Sequence, residues 1–175
     1  MRRALALIGA MVLGTVLAAP VRADPPTSVT VTQQVSLVDE TACGTYGVRW
    51  NIDLTADVRT FFDNEGRRTM VVAHITEDNT VQNTVTGLTL RDGPVNFVQT
   101  TTFDPETGRR LLIEIVGTSA HVRRGNELLI DTGRIVIDGQ TLRILESSGP
   151  HPLRELLDGS GNTALALPGF CDILR

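Results

Sequence analysis

The chain has 175 residues, 41% of them hydrophobic and 4% aromatic, and its 16 basic residues, all Arg, face 20 Asp and Glu for a net charge of −4. Without Lys it can build no Gly-x-x-x-x-Gly-Lys phosphate loop, its acidic balance argues against nucleic acid and anionic membranes as partners, and so few aromatics leave no base-stacking platform. The length suits a single domain with a core of its own.

Arg2 and Arg3 precede an apolar run from Ala4 to Ala19, followed by Val21-Arg22-Ala23, with small residues three and one before a cut. This pattern predicts a secretory signal peptide over 1–23 and a secreted β-barrel domain over 24–175. The run is short for a membrane span, and no later run approaches the roughly 18 residues that one needs. Removing Arg2, Arg3 and Arg22 leaves 13 Arg against 20 acidic residues and a net charge of −7. Cys43 and Cys171 are the only cysteines. In an exported chain they read most simply as one disulfide, since a metal pair or reactive thiol lacks a Cys-x-x-Cys spacing or a nearby histidine.

Val29, Val31, Val35 and Leu37 mark a first strand within Ser28 to Val38. From Val48 to Phe62 apolar residues fall on even positions and Arg49, Asn51, Asp53, Thr55, Asp57 and Arg59 on odd ones, which is strand periodicity with one apolar face. Asp63-Asn-Glu-Gly66 turns the chain, and a β-rich run from Arg68 to Glu77 returns along it. Asp78-Asn79 reads as a turn before a strand containing Val81, Asn83 and Val85. The phase then slips at Gly87, which predicts a bulge or sharp bend.

Arg91-Asp-Gly-Pro94 reads as another turn, Val95 to Phe103 as a strand, and Asp104 to Gly108 as a loop. Arg110 to Thr118 carries Leu111, Ile113 and Ile115 on one face and Leu112, Glu114 and Val116 on the other, so a cover over the outer face is expected. Leu128 to Asp131, Arg134 to Ile137 and Gln140 to Glu146 complete the strands, the last two joined through Asp138-Gly139. A helical turn is expected at Pro152 to Leu157, and Ala164 to Arg175 should lie across the barrel, pinned by Cys171. The fold class is therefore all-β: a single antiparallel meander of eight or nine strands, closing into a barrel in preference to a sandwich because closure removes edges.

Several pieces together resemble a group of small secreted bacterial β-barrel proteins of unassigned function. They are Cys43 before the long strand, the Phe61-Phe-Asp-Asn-Glu-Gly-Arg67 hairpin, His74 followed by Asn83-Thr-Val-Thr-Gly87, Asp131-Thr-Gly-Arg134, Gly149-Pro-His151 and Cys171. The resemblance implies fold and export and brings no catalytic residue with it. The similarity to calycin or lipocalin barrels is one of architecture alone.

His74, His121 and His151 are the candidates for acid–base or metal chemistry. On a strand His74 and Glu77 point to opposite faces and do not share a metal. Ser119 and His121 share a face, but no nucleophile elbow or orienting carboxylate accompanies them. No catalytic residue, metal or cofactor is expected. If Val81, Val85, Phe97 and Phe103 face inward, then Asn83, Gln99 and Thr101 bring polar groups to an apolar interior, where they pair with one another or line a pocket. Trp50 joins them as core filler or pocket wall. The leading expectation is a non-enzymatic protein that holds a small apolar molecule at Trp50, Asn83, Phe97 and Gln99. A protein partner docking on an outer patch at Leu112 and Val116 is the alternative, and a barrel enzyme of the cyclase or isomerase kind is the second alternative.

Overall fold

A computed structural model describes residues 25–153 and 168–175. The predicted signal peptide lies outside them, as do most of the helical turn expected from Pro152 and the segment 164–167. Seven strands run in chain order: β1 (Thr27–Asp39), β2 (Val48–Phe62), β3 (Arg68–Asn83), β4 (Thr89–Phe103), β5 (Arg110–Arg124), β6 (Glu127–Asp138) and β7 (Ile144–Ser148). A short helix, α1 (Pro168–Ile173), follows. Each strand pairs antiparallel with the next in one sheet of order β1-β2-β3-β4-β5-β6-β7. The expected meander is present, with one tiny helix carrying Cys171.

Two features of the expected fold need correction. Among the described residues there are seven strands instead of eight or nine, because Asp78-Asn79 and Arg91–Pro94 do not turn the chain. They oppose one another inside continuous strands, where the β3–β4 register shifts between Glu77 and Asn79. A bulge uses the same Asp, Asn, Gly and Pro residues as a turn. Likewise Thr132-Gly133 lies within an unbroken β6. The phase slip at Gly87 is the β3–β4 hairpin itself, with Gly87 at φ +75°.

Nor is the sheet closed into a barrel: β1 and β7 remain two separate edges. Closure needs a ladder between first and last strands, and β7 offers only five residues against the 13 of β1. Its run stops at Gly149, at φ +100°, and at Pro150, which has no N–H to donate.

Register places the alternation of β2 across the whole sheet. Val31, Ala56, Ile75, Phe97 and Gly117 stand opposite one another in sequence from β1 to β5. On the other face Thr30, Asp57, His74, Val98, Val116 and Arg134 form the neighbouring row. That face is polar along β1 and β2, where Thr30 Oγ1 donates to Asp57 Oδ1 at 2.7 Å and Ser36 Oγ to Asn51 Oδ1 at 2.9 Å.

The most deeply buried apolar cluster lies at one end of the apolar face. Tyr46, Val48, Val81, Ala120 and Val122 pack there with Leu153, Phe170, Cys171, Ile173 and Leu174. The Cys43–Cys171 disulfide ties α1 to the connection between β1 and β2, with Cα atoms 5.4 Å apart. The Tyr46 hydroxyl donates to the Cys171 carbonyl, and Asn83 Nδ2 to the Leu174 carbonyl at 2.9 Å. A six-residue helix is too short to persist on propensity, so this burial is what holds it.

Three hairpin loops repeat one design. Asn83, Asp104 and Asp138 each accept, at side-chain Oδ1, the backbone N–H groups two and three residues ahead. The N–H four residues on returns to each one's own carbonyl, from Gly87, Gly108 and Leu142 respectively. In the two aspartates, donation led by the N–H of Thr107 and of Thr141 holds the carboxyl below its ordinary value. Position five of the loop is left-handed: Gly87 at φ +75°, Gly108 at +67° and Leu142 at +59°. Leucine is the wrong residue there, since an L side chain in this region costs about 1–2 kcal/mol. Leu142→Gly relieves that cost and loses about 0.5–1 kcal/mol to unfolded-chain freedom. We expect a net gain of about 0.5–1 kcal/mol, read as a higher urea midpoint at unchanged m-value; a lower midpoint would mean that the leucine side chain holds the loop.

Candidate functional site

The residues singled out in the sequence separate into two groups. Trp50 pairs with Val81 beside Leu90 and packs against the end cluster. Asn83 is 2% exposed there. Its amide is fully engaged: Nδ2 on the Leu174 carbonyl, Oδ1 accepting from Val85 at 2.8 Å and Thr86 at 3.0 Å. It locks the tail to the β3–β4 hairpin.

Phe97 and Gln99 lie in the middle of β4, half-buried on the apolar face. The row of Phe97 crosses β2 at Ala56, six residues along the strand from Trp50, or about 20 Å at strand rise. Trp50 and Asn83 therefore sit together at the capped end, and Phe97 and Gln99 sit together further along.

Around Phe97 and Gln99 the floor is apolar. Val29, Val58, Ala73, Gln99, Ile115 and Ile135 form one row. The Phe97 row continues to Gly117 and Gly133, so no side chain stands beside Phe97 on β5 or β6. Among the described residues the Gln99 carboxamide makes no side-chain hydrogen bond, although its row neighbours Ala73 and Ile115 are apolar. Thr101, two residues on, is 6% exposed. Half-buried, the Gln99 carboxamide is within reach of a molecule lying on this face.

The histidines lie apart. His74 is exposed on the polar face opposite Asp57 and Val98, whereas Glu77 is half-buried and accepts from Asn79 Nδ2 at 2.8 Å. The register shift between Thr118 and Ala120 interrupts the alternation that would place Ser119 and His121 on one face. The His121 backbone N–H donates to Asp92 Oδ1 at 2.7 Å. His151 Nε2 lies 3.3 Å from the Ser148 carbonyl oxygen. Among the described residues no group of three or more His, Cys, Asp or Glu is placed to hold a metal ion.

Sequence reasoning missed the buried carboxylates Asp92 and Asp131, 4% and 0% exposed. Asp131 Oδ1 accepts the Leu153 N–H at 2.9 Å and so fixes the segment after β7 against β6. The expected cover over the outer face is not found among the described residues: Leu112 and Val116 are 40% and 46% exposed. Arg134 bridges Glu114 and Glu146 beside them.

These features define a class: a disulfide-tied, open-sided antiparallel meander with one apolar face, capped at one end by its own C-terminus. Comparison with known protein families, curated proteins and solved structures finds no match to the chain. Among the described residues no helix is long and apolar enough to cross a membrane.

Proposed function

We propose that the chain is an exported, non-catalytic binding protein that takes a small, largely apolar molecule carrying one hydrogen-bonding group on the apolar face around Phe97 and Gln99. Export is supported by the N-terminal pattern of a signal peptide together with a disulfide, a bond that persists in oxidising compartments. The observation that carries the binding reading is the half-buried Gln99 amide, without a side-chain hydrogen bond among the described residues, between the apolar Ala73 and Ile115. In a sheet that does not close, the molecule sits in an open trough instead of an enclosed lumen. Trp50 and Asn83, at the capped end, lie outside this proposed trough.

The test combines native mass spectrometry of the exported protein with titration by the fluorescent probe anilinonaphthalene sulfonate. A co-purifying small molecule is expected, and Gln99→Leu, which removes the amide at similar volume, is expected to weaken its retention about tenfold, the worth of roughly one buried hydrogen bond. Phe97→Ala should abolish the probe signal. An apo mass, with probe fluorescence indifferent to Phe97→Ala, would sink the reading.

A second reading has one observation in its favour. Val98 and Val116 stand opposite one another on the outer face, and with Leu112 they offer apolar area to a protein partner.

A further inference from the structure

The two edges of the sheet are built differently. β7 has five residues, a register shift against β6 between Val136 and Ile137, a charged Glu146 and a Gly-Pro stop. These are the devices by which a sheet edge is protected from pairing. β1 has none of them before its last residue, Asp39. It pairs with β2 over 13 residues without a register shift, and it contains no proline and no ionisable side chain from Thr27 to Val38. Among the described residues nothing pairs with its outer side, and Val29 and Leu37 are 59% and 53% exposed.

We infer that β1 is the interface of a two-fold dimer, in which it pairs antiparallel with β1 of a second copy, centred on Gln33. The argument is the self-complementarity of the strand. Residues directly opposite in an antiparallel pair lie on the same face. With Gln33 opposite itself, Val31 meets Val35 and Val29 meets Leu37 on the apolar face. On the polar face Thr32 meets Gln34 and Thr30 meets Ser36.

Neighbouring registers lose this match. A slip of one residue turns the apolar face of one copy against the polar face of the other and leaves at most Val29 against Val38 as an apolar match. A slip of two puts a valine opposite Gln33 and sets Leu37 against Thr27, or Val29 against Asp39. Only the centred register matches all four apolar residues, and no charge within Thr27 to Val38 opposes it. The contact is isologous and therefore closes at two copies. It joins two seven-stranded sheets with their apolar faces on the same side.

Sedimentation of the exported protein across a concentration series should show a dimer. Both native cysteines are in the disulfide, so an introduced cysteine is the only free thiol. Opposed strand residues have Cα atoms about 4.5–5.5 Å apart, inside disulfide range. Gln33→Cys should therefore cross-link under mild oxidation. Thr30→Cys should not, because its two copies stand about 20 Å apart along the pair. Gln33→Glu, which sets two carboxylates face to face, should weaken the dimer several-fold near neutral pH and leave the urea midpoint of the monomer unchanged. A monomer at every soluble concentration, open-ended assembly, or cross-linking of Thr30→Cys as readily as Gln33→Cys would each overturn the inference.

Discussion

Replacing both Cys43 and Cys171 with serine is expected to cost about 4–5 kcal/mol by the chain-entropy argument, since the bond spans 128 residues. Domains of this size have total stabilities of about 5–15 kcal/mol, so the loss is a large share of the whole. It should appear as a fall in melting temperature of roughly 10–15 °C. Measured disulfides often fall short of the entropic figure, and here the other contacts decide how far. Without the bond α1 keeps the Tyr46 and Asn83 hydrogen bonds and those of Arg124 to the Asp172 and Arg175 carbonyls. It also keeps Phe170 and Leu174, 2% and 0% exposed. Burial of two large side chains supplies about 3–6 kcal/mol, enough to keep the tail docked in the folded molecule. The prediction is a lower global midpoint with α1 still protected from hydrogen exchange under native conditions. A midpoint that does not move would show that the loop is already restricted in the unfolded chain.

The legible part of this fold was local. The even-odd alternation of Val48 to Phe62 marks β2 because one face of the sheet is apolar along its length, and Asp63 to Gly66 marks its hairpin because the turn chemistry is written in four adjacent residues. The disulfide was readable because only two cysteines exist. What could not be read depends on distant partners. Asp78-Asn79 and Arg91 to Pro94 look like turns until they are seen to face one another as a bulge. The partner of the Asn83 amide lies 91 residues away. Asp92 and Asp131 are buried because the backbone of His121 and Leu153 comes to them, 29 and 22 residues along the chain. Barrel closure depends on how long the last strand is, and no periodicity records that. Phe97 and Gln99 were placed on one face correctly by alternation, but their distance from Trp50 follows from register.

Gly117→Ala is expected to be the most damaging single-methyl substitution in the sheet. Gly117 has φ +131°, a conformation that L side chains rarely adopt, and an added Cβ would lie 2.6 Å from the Asn96 carbonyl oxygen and 2.8 Å from the Phe97 Cα. Opposite it on β6 stands Gly133, at φ +138°. The pair lies beside the register shift of β5, and glycine next to a bulge is the combination by which sheets are bent. By distance alone Gly133→Ala is worse, its Cβ falling 2.0 Å from the Ser148 carbonyl oxygen. The obstacle there, however, is a five-residue edge strand with no further strand beside it among the described residues, and β7 can swing away. Gly117 meets β4, which is held on its far side by β3, while its own strand is held by β6. Neither neighbour can yield. Backbone strain of about 1–3 kcal/mol and overpacking of similar size then fall on the same site, for a loss of roughly 3 kcal/mol or more. Gly133→Ala should cost less globally and show instead as lost hydrogen-exchange protection confined to β7. Because Gly117 borders Phe97, binding at the proposed trough should fail with it: probe fluorescence at Gly117→Ala is expected to fall even below the denaturation midpoint. A variant with an unchanged urea midpoint would mean that the bend of the sheet does not depend on this glycine.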